Sequence, residues 1–186
     1  MCYFLKQFII FKILLLIIGS CRQAKCETDW TYELLSLKLD SENPEILNGD
    51  LYVKRVSRGL FAFSGNLNIF EDLNNGTIVY TDVYYSYTSM DYVRSPFNVP
   101  KQPLPQFIKT LYKDMLMESL LQCSSNAPDL EFDGVVTKRV VEFDDCVISN
   151  ENMPSHMKIG YYKVIFTFTQ QITAQLEIIV KIDKKD

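Results

Sequence analysis

From Phe61 to Ile69 the apolar side chains Phe61, Phe63, Leu67 and Ile69 fall on every second position, with Ser64, Asn66 and Asn68 between them. A segment patterned this way can meet a core and water at once only as a strand, because successive strand side chains point to opposite faces. The pattern recurs from Ile78 to Thr88, where Val79, Val83, Tyr85 and Tyr87 share one face and Tyr80, Asp82, Tyr84 and Ser86 the other. Val164, Phe166 and Phe168 share a face of the segment from Tyr161 to Thr169, and Leu176, Ile178, Val180 and Ile182 a face of that from Ala174 to Ile182. The short connection from Gln170 to Thr173 predicts that these two form an antiparallel hairpin. The run from Trp30 to Leu39, broken by Asn43-Pro44, and the run from Leu51 to Ser57 add further strands.

One stretch has a different period. Pro103 and Pro105 suit a first helical turn. After them Phe107, Ile108, Leu111, Tyr112 and Met115 recur at helical spacing, and Met117, Leu120 and Leu121 widen the apolar surface toward Cys123. A helix this broad needs a sheet to cover it. About seven strands and one principal α-helix predict a mainly β chain, a two-sheet antiparallel β-sandwich or β-cup. Whether its interior is filled or hollow is not set by pattern.

The amino-terminal segment bears on compartment. Lys6 precedes an apolar run from Phe8 to Ile18 that is interrupted by Lys12 and followed by Gly19, Ser20 and Cys21. A spanning helix needs about 20 apolar residues, more than this run supplies. The pattern predicts a secretory signal over residues 1–20 and a single domain over 21–186, secreted and extracellular. An uncleaved anchor, or a lipoprotein box ending at Cys21, is the alternative. Loss of Lys6 and Lys12 takes the formal charge from −4 to −6. Such an acidic chain is a poor match for a phosphate backbone, which excludes nucleic acid as a partner.

Removal of residues 1–20 leaves Cys21, Cys26, Cys123 and Cys146, an even set that an oxidising compartment can pair in three ways. Cys123–Cys146 is the preferred bridge, since it closes a loop between two ordered segments. Asn75-Gly76-Thr77 is an N-glycosylation sequon in a polar run between two strands, which places Asn75 at the surface.

Catalytic signatures are missing. The single histidine, His156, lies in a polar loop with no partner constellation, and neither a GxSxG nor an HExxH motif occurs. Asp144 and Asp145 are neighbours on a strand-like segment, so their carboxylates are expected to diverge and, with Asp133 and Glu142, to form a solvated edge. The chain is therefore expected not to be an enzyme and to carry no cofactor or metal.

Several segments in order resemble a known family. They are Val56-Ser57-Arg58-Gly59-Leu60-Phe61-Ala62-Phe63-Ser64-Gly65, Pro96-Phe97-Asn98-Val99-Pro100-Lys101-Gln102, Tyr112-Lys113-Asp114, Cys123-Ser124-Ser125-Asn126, Phe143-Asp144-Asp145-Cys146, Met153-Pro154 and Gly160-Tyr161-Tyr162-Lys163. No one of them is specific. The ordered set, from about Trp30 onward, resembles the insect chemosensory B-type proteins, which are similar to the ganglioside-activator branch of the ML lipid-recognition superfamily.

The resemblance implies a β-cup whose sheets part to admit an acyl chain or hydrocarbon, secretion in sensory tissue and a role in pheromone response. It also implies that Cys123 and Cys146 lie on the helical side of the cup. The chain departs from ganglioside activators in having no cysteine after Cys146, so ganglioside binding is not carried over. The expected cavity residues are Phe61, Phe63, Val83, Tyr85, Phe107, Leu111, Phe166 and Phe168, each with ordinary core packing as the alternative. The expected partner is an apolar small molecule or lipid. The competing reading is a protein-interaction module for a membrane receptor ectodomain or channel, with Tyr84, Tyr85, Tyr87, Tyr92 and Tyr162 as its surface.

Overall fold

A computed structural model of the chain describes residues 28–129 and 134–185. The expected signal over 1–20, together with Cys21, Cys26 and Asp133, lies outside the described residues. In chain order the strands are β1 (Trp30–Ser41), β2 (Leu47–Ser57), β3 (Leu60–Ile69), β4 (Thr77–Ser86), β5 (Val93–Arg94), β6 (Val99–Pro103), β7 (Ser124–Ser125), β8 (Arg139–Cys146), β9 (Gly160–Gln170) and β10 (Ala174–Lys184). They form two antiparallel sheets. The larger runs β1-β10-β9-β4-β5, with β6 also paired to β4, and the smaller runs β2-β3-β8-β7. No helix among the described residues is long and apolar enough to cross a membrane.

Register turns the alternation of single strands into a continuous apolar face. Leu37 pairs with Ile178, Ile178 with Val164, and Val164 with Val83, so one transverse row crosses four strands of the larger sheet. Leu39, Leu176, Phe166 and Thr81 form the next row, and Leu34, Val180, Tyr162 and Tyr85 the row on the other side. In the smaller sheet Val53 pairs with Phe63, and Leu67 pairs with both Gly49 and Val141.

The sheets are joined along both sides. On one side the turn after β1 carries the chain from the larger sheet into β2, and Asn43 holds that turn: its Oδ1 accepts from the Thr173 N–H at 2.9 Å, and its carbonyl accepts from Ile46 and Leu47. On the other side a helix is the strap. It leaves β6 on the larger sheet as α1 (Leu104–Phe107), continues through a π-helical stretch (Ile108–Leu116) and ends as α2 (Met117–Cys123), which runs into β7 of the smaller sheet. The wide middle is marked by the Met117 N–H, which bonds back to the Tyr112 carbonyl five residues earlier. Ile108 and Tyr112 are its buried residues, and Phe107 meets Phe166 edge-on with ring centres 6.0 Å apart. The Cys123–Cys146 disulfide then ties the end of α2 to the end of β8, with Cα atoms 5.2 Å apart.

The expected divergence of Asp144 and Asp145 is corrected, although both side chains are solvent-exposed as expected. Asp145 has φ +53°, and the β3–β8 register slips between Phe63 and Gly65. This bulge breaks strict alternation and brings both carboxylates to Lys54, which pairs with Asp145 and lies 3.9 Å from Asp144. Ser64 completes the arrangement, its Oγ accepting from the Asp145 N–H at 2.9 Å and donating to Oδ1 at 3.2 Å. Gly65 sits at the slip with φ +127°, and a Cβ there would stand 1.9 Å from the Asp50 carbonyl oxygen.

Two outcomes follow for stability. Gly65→Ala meets both a positive φ and a backbone clash, so it should cost at least about 2 kcal/mol, read from urea unfolding. Replacing both Cys123 and Cys146 by Ser releases a loop of sequence separation 23. On the chain-entropy account the measured loss should be about 3 kcal/mol.

Candidate functional site

The inner faces are not evenly buried. At one end Leu47, Ile69, Leu73, Val79, Leu104, Phe107, Ile108, Tyr112, Val136, Ile172 and Ala174 form the main core between the sheets and the helix. At the other end Trp30, Tyr162 and Ile182 form a smaller one, flanked by Tyr32, Val83, Tyr85, Met153, Met157 and Val180. Between the ends lie Leu37, Val164 and Ile178 of the larger sheet and Leu51, Val53, Phe63 and Phe143 of the smaller. All seven are apolar, all stand on core-facing positions, and all are only half-buried. They belong to neither core. A closely packed sandwich buries such central positions most deeply; here the middle is less covered than either end.

The eight residues singled out in the sequence distribute over this space. Phe107, Leu111, Phe166 and Phe168 belong to or pack against the main core, and Val83 and Tyr85 pack against the smaller one. Phe63 lies in the half-buried belt, its ring 5.3 Å from that of Phe143. Phe61 lines a cleft of about 220 Å³ with Thr31 and Tyr32 at the start of β1, Gly59 and Leu60 at the β2–β3 turn, and residues 147–150 after β8. The eight therefore share the space between the sheets without meeting at one point. The belt residues Leu37, Val164, Ile178, Leu51, Val53 and Phe143 are not among the eight. Leu37 and Leu51 carry ordinary strand patterning, and only their place at the centre of facing sheets distinguishes them.

The cleft opens at the end held by the smaller core. Tyr32 and Ile182 occupy paired positions on the larger sheet, and Phe61 pairs with Arg55 on the smaller. The Tyr32 hydroxyl donates to the Ile148 carbonyl at 2.7 Å, and the Asn150 side-chain amide donates to the Trp30 carbonyl at 3.0 Å. Trp30 is itself pinned, its indole N–H donating to Pro154 at 2.8 Å. Burial raises the Tyr32 hydroxyl above its ordinary pKa, with the bond to Ile148 acting against it. The volume is below the several hundred Å³ usual for a whole ligand, so the cleft can hold the end of one.

Other expected features fall as follows. Asn75 is exposed in the turn before β4, whereas the sequon's Thr77 is buried with its hydroxyl bonded to Gln171 Oε1 at 2.9 Å. His156 is largely solvent-exposed and its Nδ1 lies 2.6 Å from Asp29 Oδ2; the Asp29 N–H also donates to Ser155, so the contact clasps the loop to the start of β1. The five tyrosines do not form one surface. Tyr162 is buried and meets Tyr85 edge-on at 5.2 Å, because both stand on inner-face positions of paired strands. Among the described residues no group of three or more His, Cys, Asp and Glu is arranged to hold a metal.

Beneath the helix, Tyr112 donates its hydroxyl to the Pro128 carbonyl at 2.7 Å. Burial, and then the negative charge of Asp129, push its pKa from 10.0 up to about 12. An unfolded tyrosine gives up its proton first, so this contribution to stability is complete below about pH 10 and is lost as pH rises toward 12. Denaturant midpoints over that range should fall for the native chain, and Tyr112→Phe should flatten the fall.

No family model matches the chain, and no curated protein matches it.

Proposed function

We propose that the protein is an extracellular binder of an apolar small molecule or lipid, with the ligand's chain lying along the half-buried belt between the sheets. The observation that carries this reading is the incomplete burial of Leu37, Val164, Ile178, Leu51, Val53, Phe63 and Phe143 on two facing apolar surfaces. Solvent left against such surfaces is unfavourable, and each methylene that displaces it contributes about 0.8 kcal/mol. A flexible chain with few polar contacts can therefore bind usefully. The Cys123–Cys146 disulfide supports an oxidising compartment, and the exposed Asn75 sequon agrees with it. The resemblance to insect chemosensory B-type proteins supports a hydrocarbon or acyl ligand and an accessory role in pheromone response.

A specific feature favours a second reading. The segment after β4 exposes Tyr87, Met90, Val93 and Phe97, with Tyr87 and Met90 more than three-quarters accessible. An apolar group of this kind suits contact with another protein, such as a receptor ectodomain. The two readings differ in what the interior does.

Mass spectrometry of lipid extracted from the secreted, folded protein, with displacement of a fluorescent fatty probe, tests the ligand reading; no co-purified lipid and no probe binding would leave the interaction module ahead. Val164→Phe sharpens the test. In a filled core the added bulk should cost about 1–3 kcal/mol. In a hollow it should leave thermal stability nearly unchanged and weaken probe binding by about tenfold.

A further inference from the structure

The cleft bounded by Tyr32, Phe61 and Asn150 has a mixed chemistry that the apolar belt lacks. It lies at one end of the space between the sheets, and none of its nine lining residues carries a charge. The nearby hairpin residues Arg55 and Arg58 are exposed and are not among its lining, and Arg55 donates its Nε–H to the Ser57 carbonyl instead. The polar groups that do line it are partly engaged in fixed directions. The Trp30 carbonyl can only accept, so it sets the orientation of the Asn150 amide, with nitrogen toward Trp30 and Oδ1 left as an acceptor. Tyr32 spends its proton on the Ile148 carbonyl and keeps an oxygen lone pair. Both side chains therefore have acceptor capacity to offer a ligand.

We infer that this cleft is a head-group subsite for an uncharged, hydrogen-bond-donating end of an amphiphile, a hydroxyl in the simplest case, with the apolar chain running inward along the belt. The inference rests on the ligand reading above and narrows it. A carboxylate or phosphate placed here would lose water against a lining that holds no cation. An ester could accept from the second Asn150 N–H but would leave the acceptor oxygens of Asn150 and Tyr32 without a donor. A hydroxyl can donate to Asn150 Oδ1 or to the Tyr32 oxygen while its chain continues past Phe61.

The chain carries a built-in reporter. Trp30 is its single tryptophan, it is buried, and its carbonyl holds the Asn150 amide at the cleft. Trp30 emission can therefore follow titration of the full secreted protein with decanol, methyl decanoate and decanoate at neutral pH. Decanol should bind roughly five- to tenfold more tightly than either of the others, the ratio expected for one net hydrogen bond.

Val147→Lys, at an exposed position in the lining, places a cation at the mouth. It should improve decanoate binding about two- to fivefold, the range for a solvent-exposed ion pair, and leave decanol unaffected. Equal binding of decanoate and decanol to the native chain, or a selectivity unchanged by Val147→Lys, overturns the head-group assignment while the ligand reading stands. Absence of binding by all three compounds overturns the ligand reading itself.

Discussion

Two facing apolar surfaces in fixed register are the constraint from which the rest of this molecule follows. Because Leu37, Ile178, Val164 and Val83 pair across four strands, the larger sheet cannot slip by one residue without turning that whole row toward water. Both sheets carry local slips, the larger between Leu34 and Ser36 of β1 and between Val79 and Thr81 of β4. In the smaller the register slips once in the β2–β3 pairing, between Arg55 and Ser57, and once between β3 and β8, at Gly65. The second slip turns Asp145 back toward Ser64 and Lys54. A strand that bends there leads Cys146 to the position where it can meet Cys123.

The helix bridges these surfaces. It begins on the larger sheet and ends, through the disulfide, on the smaller one, so it spans the side opposite the Asn43 turn. The π-helical middle gives it a wide cross-section there, and wide side chains, Phe107 and Tyr112 among them, fill the main core beneath. That filling stops short of the centre. The smaller core, built around Trp30, Tyr162 and Ile182, packs the far end beside the cleft, and the belt between the two cores is only half-buried. In the proposed function this division gives the ends the work of stability and the middle the work of binding.

Much of the architecture could be read from side-chain period. The alternation in β3, β4, β9 and β10 specifies strands, and Gln170 to Thr173 specifies the hairpin between the last two. The helix was legible from Phe107 to Cys123, with its prolines at the start. Strand β8 was harder, because the adjacent Val140 and Val141 and the acidic run after them blur the period; β5, β6 and β7 are too short to have one. The candidate site was half legible. Aromatic residues such as Phe61 and Phe166 announce themselves, whereas Leu37 and Leu51 look like any other core position.

Local preference is encoded along the chain, and so strand, helix, inward face and the cysteines available for pairing were all set by the order of residues. Distance between faces is a different kind of quantity. It depends on where the Asn43 turn and the helix hold the two sheets, and on how far the side chains of each reach toward the other. Those terms arise only when residues remote in sequence are brought opposite one another. For that reason the half-buried belt, the uncharged cleft at its end and the convergence of Asp144 and Asp145 on Lys54 were decided by tertiary structure alone.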